Sequence, residues 1–209
     1  MPSIVEYSGL IKSIPVYNQS AKINKKVWNE LLCNEEDIKI ELLGGENDFE
    51  LSREEVLSED DKEKRIVMAL MWGYPTGGRG KNIKDTLTET DKLKQLLSEA
   101  QDLDLTKEQA DNLIEQIDSI HGLGMSTWSK LLYFFNVSIE SRRCQIYDSK
   151  IVDSLNRQQF CELETQEWKH SRNHYYQYIE LVDDLAMRMC VSPEQVELFL
   201  FYFNHDYKF

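Results

Sequence analysis

Residues 120–155 read IHGLGMSTWSKLLYFFNVSIESRRCQIYDSKIVDSL, and this stretch decides the fold. Apolar residues recur at helical spacing up to Ile120 and again after the turn, with Gly122 and Gly124 between the two runs. Glycine allows a sharp backbone turn because it has no Cβ to clash. The stretch therefore predicts two helices joined by a tight G-x-G turn, the second helix starting at or near Ser126.

The predicted turn can hold an anion. Backbone N–H groups point outward at the start of the second helix, where the helix dipole also favours negative charge. One DNA phosphate can therefore bind at Gly122, Leu123, Gly124 and Met125 without help from lysine or arginine. An ordinary pair of helices, closed by a glycine cap, accounts for the same pattern without any ligand.

A lone carboxylate, Asp148, follows the second helix in the sequence IYDSKIV. It stands between apolar residues at the expected start of a further helix. An aspartate in this position is either an N-cap that satisfies backbone N–H groups or a catalytic carboxylate that faces a cleft. The residues alone leave both interpretations open.

The segments on either side of this stretch are predicted to be helical as well. Apolar residues at turn spacing indicate helices after Asn24 and over residues 58–71, 93–100, 106–120, 174–190 and 192 onward. A compact loop is expected over residues 72–80, and the first twenty residues are expected to be irregular or a small strand pair. The sequence is thus interpreted as one all-α domain, residues 1–209, with the hairpin and the aspartate in residues 106–156.

The composition limits the function. The chain has 209 residues, with 37 acidic and 24 basic side chains and a net charge of -13. A protein that coats nucleic acid needs clustered basic side chains, so any DNA contact must be local. The apolar runs are far shorter than the roughly 20 residues that cross a bilayer. Because a secretory signal is not visible either, a cytoplasmic protein is expected.

No metal or other cofactor is predicted. The cysteines lie at positions 33, 144, 161 and 190, a spacing that fits neither a zinc site nor an iron–sulfur cluster. His170 and His174 are one helical turn apart, but no third ligand is in view, which favours a solvated or capping role.

The hairpin and the aspartate resemble the helix-hairpin-helix superfamily of DNA glycosylases, and most closely the archaeal and bacterial 8-oxoguanine DNA glycosylases. Those proteins show a similar I-x-G-x-G-M hairpin and then an apolar-apolar-Asp-x-x-I pattern, matched here by Gly122, Gly124 and Asp148. The resemblance implies two helical lobes around a cleft, DNA as the partner and Asp148 as the catalytic carboxylate. It also implies release of a modified base, with an oxidised guanine expected.

One position departs from the bifunctional members of this superfamily. In those members a lysine two residues after the second glycine attacks the sugar C1′, whereas this chain has Ser126 there. The departure is similar to adenine-mismatch glycosylases, which use water, although they usually carry an iron–sulfur cluster. A hydrolytic, monofunctional glycosylase is therefore expected. Lys130, one turn further along the same helix face, is the alternative nucleophile.

Further residues are candidates for contacts with DNA. Basic side chains that can meet the phosphate backbone are Arg79, Lys81, Arg142 and Arg143. An extruded base needs aromatic or apolar walls, and the candidates for these are Trp72, Tyr74, Lys208 and Phe209. Core packing explains Trp72 equally well, and a plain C-terminal core helix explains the aromatic residues that precede Lys208.

Two interpretations compete with that of an enzyme. A catalytically silent helix-hairpin-helix module that binds nucleic acid or a partner protein fits Ser126 and the negative charge, whereas Asp148 argues against it. An all-α interaction protein with a coincidental hairpin is the third. Glycosylase-like variants also occur in bacterial antiviral gene clusters, so other proteins of such a defence system are expected as partners if this chain belongs there.

Overall fold

The computed structural model describes residues 1–32, 36–44, 49–78, 80–163 and 166–206. Three residues with predicted roles, Arg79, Lys208 and Phe209, lie outside these ranges.

The first third of the chain is a set of short elements that leads into one long helix. In chain order these are α1 (Ser8–Lys12), β1 (Ser20–Ile23), α2 (Lys25–Leu31), α3 (Glu36–Leu43), β2 (Phe49–Ser52), α4 (Arg53–Ser58) and α5 (Lys62–Gly73). Strands β1 and β2 pair antiparallel, with Ser20 opposite Ser52 and Ile23 opposite Phe49.

The remainder is helical apart from a small three-stranded sheet. Its elements are α6 (Asn82–Leu87), α7 (Thr90–Ala100), β3 (Asp104–Leu105), α8 (Lys107–Asp118), α9 (Met125–Phe134), β4 (Ser138–Ile139), β5 (Arg142–Arg143), α10 (Ser149–Asn156), α11 (Arg172–Met189) and α12 (Pro193–Asp206). Strand β4 pairs parallel with β3 and antiparallel with β5. The expected all-α class is confirmed, and in the described residues no helix is both long and apolar enough to cross a membrane.

Helix capping explains where the central helices begin. Thr106 accepts a hydrogen bond from the N–H of Gln109, whose side chain accepts from the N–H of Thr106 in return, so α8 starts as the sequence predicts. Ser192 and Gln195 form the same reciprocal pair at the start of α12. These boundaries were predictable because the cap lies within four residues of the sequence.

Two boundaries differ from the prediction. Ser58 ends α4, and the next helix begins after Asp61, whose carboxylate accepts from the N–H of Lys64 at 2.9 Å. Trp72 lies in the last turn of α5 and not in the following loop.

The first twenty residues are mostly helical turns, and the strand that starts at Ser20 pairs with β2, about thirty residues later in the chain.

Helix α9 lies in the middle of the core and thereby fixes the hairpin. Every side chain from Thr127 to Phe134 on this helix is buried, so the helix cannot slide or rotate without disrupting the interior. Helix α5 packs on one side of α9, and α10 packs against α12. The ends of α5, α9 and α10 meet at the same place, which is where the candidate site lies.

Candidate active site

The two glycines of the hairpin differ in whether the fold requires them. Gly122 has φ +89°, and a Cβ on it would lie 2.3 Å from the backbone oxygen of Asn82. Only glycine avoids both the strain and the clash. Gly124 is the N-cap of α9 in an extended conformation, and a Cβ there would meet nothing within 4 Å. The first glycine is therefore required by the fold, while the second leaves open space in front of the helix.

The start of α9 has free backbone donors. Among the described residues, none accepts a hydrogen bond from the N–H of Gly124, Met125 or Ser126. They border an open groove of about 610 Å³, whose lining includes Tyr74, Asn82 and His170. Leu123, which was predicted to contact the phosphate, is buried in the core and does not line this groove, and its N–H donates to the backbone oxygen of Ile120. The groove has the size and the donors that a DNA phosphate requires.

The two carboxylate oxygens of Asp148 have different surroundings. Its Oδ1 atom accepts hydrogen bonds from the N–H groups of Lys150 and Ile151, at 3.0 and 3.1 Å, which caps α10. Its Oδ2 atom lies 3.9 Å from the Nζ of Lys130, and the side chain is 16% exposed. The N-cap interpretation is confirmed, but it uses one oxygen only. The second oxygen faces the ammonium of Lys130 and takes no part in the cap.

The side chain of Lys130 extends back along α9 toward Ser126, close to Asp148. Its Nζ donates to the backbone oxygen and the hydroxyl of Ser126, both at 2.9 Å. Long side chains on a helix lean toward the N-terminus, so an amine rooted one turn further along arrives beside Ser126. Gly73 makes room for it, since a Cβ there would lie 2.7 Å from Cδ of Lys130.

The backbone that leads to Asp148 is fixed by buried hydroxyl groups. Ser129 accepts from the N–H of Tyr147 at 3.0 Å. Tyr175 and Tyr178 on α11 donate to the carbonyl oxygens of residues 145 and 146, at 3.2 and 3.1 Å. Because these groups come from two different helices, the position of the carboxylate does not depend on a free loop.

A second cavity, of about 350 Å³, opens between Asp148 and Lys130 and the first strand. Its lining includes Gln19, Trp72, Glu197 and Phe201, and it shares Gly73 and Pro75 with the hairpin groove. The volume is within the usual range for small-molecule pockets. Groove and cavity are therefore adjacent, with the amine and the carboxylate bordering the cavity.

Glu197, which lines this cavity, forms a buried ion pair with Arg53 behind the wall. Nη1 of Arg53 donates to Oε2 of Glu197 at 2.8 Å, and both side chains are almost fully buried. Burial raises the pKa of Glu197, while the charge of Arg53 acts in the opposite direction. The guanidinium also lies over the rings of Trp72 and Tyr133, at 5.2 and 4.9 Å from the ring centroids.

A family model described as "Putative 8-oxoguanine DNA glycosylase OGG-like protein" matches residues 14–201, which is most of the chain. The chain belongs to this OGG-like family. Searches of curated proteins and of solved structures found no match. The match supports the resemblance inferred from the hairpin and the aspartate, and it covers every described element from β1 through α11.

Trp72 and Tyr74, which were predicted to form walls for an extruded base, line different openings in this OGG-like protein: Trp72 the cavity and Tyr74 the groove. Trp72 borders the cavity, but it is only 8% exposed, donates from Nε1 to the backbone oxygen of Gln19 and packs edge-on against Phe134. Tyr74 lines the groove instead, where its hydroxyl shares a 2.7 Å hydrogen bond with Thr127. Its ring lies 5.6 Å from the ammonium of Lys130.

The basic residues predicted to contact DNA differ in how they are held. Arg142 pairs with Glu180 at 3.2 Å, and Arg143 pairs with Glu194 at 2.7 Å while lying over the ring of Tyr133. Neither arginine lines the groove or the cavity. Lys81 is exposed at the start of α6, directly before the groove residue Asn82.

The histidines and cysteines of the OGG-like chain do not form a metal site in the part that the structure describes. Nδ1 of His174 accepts from the N–H of Lys169 at 2.8 Å, a capping role. Cys144 is a buried free thiol, whose pKa burial raises to about 12, and Cys161 and Cys190 are exposed and free.

The sequence analysis did not identify several residues that line the cavity, among them Gln19, Glu197 and Phe201. Gln19 and Phe201 carry no sequence signal that separates them from their neighbours. Glu197 did carry one, because it is a single acidic residue inside the apolar run VELFLFYF. A charge at a core position is rare unless it is paired or functional.

Proposed function

We propose that the protein is a DNA glycosylase that releases an oxidised guanine, with Asp148 and Lys130 as the catalytic pair. The observation that carries this proposal is the 3.9 Å separation of the Lys130 amine and the free oxygen of Asp148. Both groups border the cavity that adjoins the hairpin groove. Membership of the OGG-like family supports the reaction class.

DNA would bind first through its backbone. The free N–H groups of residues 124–126 donate to one phosphate, and the dipole of α9 adds to the attraction. A glycosylase must then take the target nucleotide out of the base stack, because C1′ is inaccessible inside the duplex. The cavity beside Asp148 receives the base, and Trp72 and Phe201 supply aromatic surface for it.

The chemistry is the cleavage of the bond between C1′ and the base. As the base leaves with the bonding electrons, positive charge develops on the sugar, and the carboxylate of Asp148 stabilises it. A nucleophile then bonds to C1′. The geometry supports the amine of Lys130 best, because it is 6% exposed, borders the cavity and has a carboxylate nearby to take its proton.

Attack by this amine would make the enzyme bifunctional. One proton of the Lys130 ammonium passes by way of Asp148 to the departing base, and the nitrogen then bonds to C1′. Transfer of a second proton from this nitrogen to O4′ opens the sugar ring and leaves a protonated imine. Loss of a C2′ proton then expels the 3′ phosphate, which cleaves the strand. Hydrolysis by water is the second candidate, and the observation that favours it is Ser126 at the position of the family lysine.

Base release tests the proposal directly. The protein is incubated with duplex and single-stranded oligonucleotides that carry 8-oxoguanine, uracil or only normal bases, and alkali converts abasic sites to strand breaks. We expect breaks at 8-oxoguanine. Asp148→Asn should lower the release rate by about 10²- to 10⁴-fold. Because asparagine also caps helices, this variant keeps the α10 cap and should remain folded.

The outcome also separates the enzyme from a silent module. Tight binding of these oligonucleotides without release of any base would indicate a helix-hairpin-helix module that binds nucleic acid and does not cleave it. Release that is unaffected in Asp148→Asn would contradict the role of the carboxylate. Membership of an antiviral system and a cytoplasmic location stay predictions, which deletion of the gene in infected cells and fractionation would test.

A further inference from the structure

Ser126 holds the amine of Lys130 from one side only. Nζ of Lys130 donates to the backbone oxygen and to the hydroxyl oxygen of Ser126, both at 2.9 Å, and among the described residues these two are the hydrogen bonds of the amine. Ser126 borders the hairpin groove, whereas Lys130 borders the cavity. The amine is therefore anchored on the side of the groove and open on the side of the cavity.

The neighbours of the amine limit where it can turn. The ring of Tyr74 lies 5.6 Å from Nζ, and the lysine chain passes so close to Gly73 that a Cβ there would lie 2.7 Å from Cδ. Oδ2 of Asp148 lies 3.9 Å from Nζ, which is beyond hydrogen-bond distance. Because the lysine side chain is only 6% exposed, water has little access to replace its contacts with Ser126.

This arrangement sets the direction of the lone pair. A lysine ammonium carries three N–H bonds and one bond to carbon in tetrahedral geometry. Two N–H bonds point at Ser126, so the third is left for the side on which Asp148 and the cavity lie. Transfer of this third proton to Asp148 leaves the lone pair in its place, while both hydrogen bonds to Ser126 are kept.

We propose that Ser126 is a positioning residue that directs the lone pair of the Lys130 amine at C1′ in the cavity. This inference rests on the proposed function and concerns how its nucleophile is aligned. The lone pair forms the bond to C1′, the base leaves with the electrons of the broken bond, and the proton passes by way of Asp148 to the base. Alignment matters because a nucleophile at contact distance reacts slowly when its lone pair points elsewhere.

Ser126→Ala tests the alignment through the products. The variant keeps the N–H and the backbone oxygen of residue 126 and removes one of the two acceptors of the amine. A misdirected amine loses C1′ to water, since Asp148 still stabilises the sugar cation. With an 8-oxoguanine duplex, we expect the adduct trapped by borohydride to form about 10-fold more slowly at saturating DNA. The DNA concentration that gives half-saturation should not change.

The ratio of two products separates positioning from a structural role. Parallel samples without borohydride show the abasic sites that break only after alkali, which are the products of attack by water. In Ser126→Ala the ratio of adduct to these sites should fall by about 10-fold. A purely structural role of the serine would lower both products together and leave their ratio unchanged.

Threonine and valine at the same position separate the hydroxyl group from its bulk. Ser126→Thr keeps the acceptor and should keep the ratio of the wild type, whereas Ser126→Val has nearly the same shape without the hydroxyl and should resemble Ser126→Ala. Ser98→Ala is the matched control, because Ser98 lies on a helix, α7, and borders neither the groove nor the cavity. Its ratio should equal that of the wild type.

The outcomes distinguish this inference from the function on which it rests. A wild type that releases no base from any oligonucleotide would overturn the proposed glycosylase and this inference with it. Base release without adduct in the wild type would keep the glycosylase and overturn the inference, because water would then attack C1′. Adduct at the wild-type ratio in both Ser126→Ala and Ser126→Val would overturn the inference alone. If Ser126→Ala does not fold, as judged by its thermal unfolding, the comparison of Ser126→Thr with Ser126→Val decides.

Discussion

Two cation–carboxylate pairs lie at the same cavity, one of them through its carboxylate alone, and they differ in separation and burial. Arg53 and Glu197 are 2.8 Å apart and almost fully buried, and their geometry is that of a tight structural pair. Lys130 and Asp148 are 3.9 Å apart, and each has a stronger hydrogen bond elsewhere, to Ser126 and to the start of α10. We expect the tight pair to stabilise the fold, and we expect the loose pair to act in the proposed reaction, because its amine and carboxylate are not locked to each other.

The largest expected effect concerns the loose pair. Replacement of Lys130 by glutamine removes the amine, so the adduct that borohydride traps with an 8-oxoguanine duplex should fall by about 10³-fold or more. Lys150→Gln is the control, since Lys150 borders the same cavity and its backbone N–H still bonds to Asp148. Adduct that persists in Lys130→Gln would assign the trapped amine elsewhere, and a wild type without adduct would favour hydrolysis.

The tight pair should govern stability. Arg53→Met leaves Glu197 buried without its cation, and loss of one partner of a buried pair costs about 3–5 kcal/mol. The free energy of unfolding, measured in urea, should fall by that amount. Arg143→Met is the comparison, because Arg143 is partly exposed and its loss should cost less. Equal losses in the two variants would show that burial does not distinguish these pairs.

The two hairpin glycines allow the same comparison between a residue that stabilises the fold and one that leaves room for a ligand. Gly122→Ala should lower the free energy of unfolding by about 1–3 kcal/mol, because of its positive φ and the clash with the Asn82 carbonyl. Gly124→Ala should leave stability nearly unchanged and weaken binding to duplex DNA, since its methyl group occupies the open space in front of α9. Thermal unfolding and DNA titration of both variants would check this, and similar stability losses would contradict it.

The smallest expected effect concerns Gly73. Its alanine variant forces the flexible Lys130 chain aside by a small distance, because the contact of 2.7 Å is with a side chain and not with the backbone. Adduct formation should slow by about 10-fold, as a misplaced nucleophile loses alignment, while unfolding is unchanged. A Gly73→Ala protein that traps DNA at the wild-type rate would show that the path of Lys130 is not restricted there.

The sequence predicted the structural features that depend on residues close together in the chain. The helices with capping residues, the G-x-G turn, the helix after Asp148 and the shared face of Ser126 and Lys130 all depend on residues within one or two turns of each other. The family resemblance is confirmed by the family model over residues 14–201. The predicted start of a helix at Ser58 was wrong because Ser58 and Asp61 are both good N-cap residues, and the helix begins after Asp61.

What could not be predicted depends on contacts between distant segments. Arg53, Gln19 and Glu197 come together only because α12 packs back on the first elements of the chain. The position of the Lys130 amine depends on Gly73 at the end of α5, which no local pattern connects to α9. The roles of these residues in binding and catalysis remain predictions that the variants above test.

The hairpin groove has a consequence for how binding responds to ionic strength. DNA held mainly by lysine and arginine releases condensed counterions, so its affinity falls steeply as salt is added. Here the donors at the start of α9 are uncharged amides, and Arg142 and Arg143 are already neutralised by glutamates. Affinity for DNA should therefore be modest at low salt but nearly flat as salt rises, the behaviour of a protein that exchanges few ions when it binds.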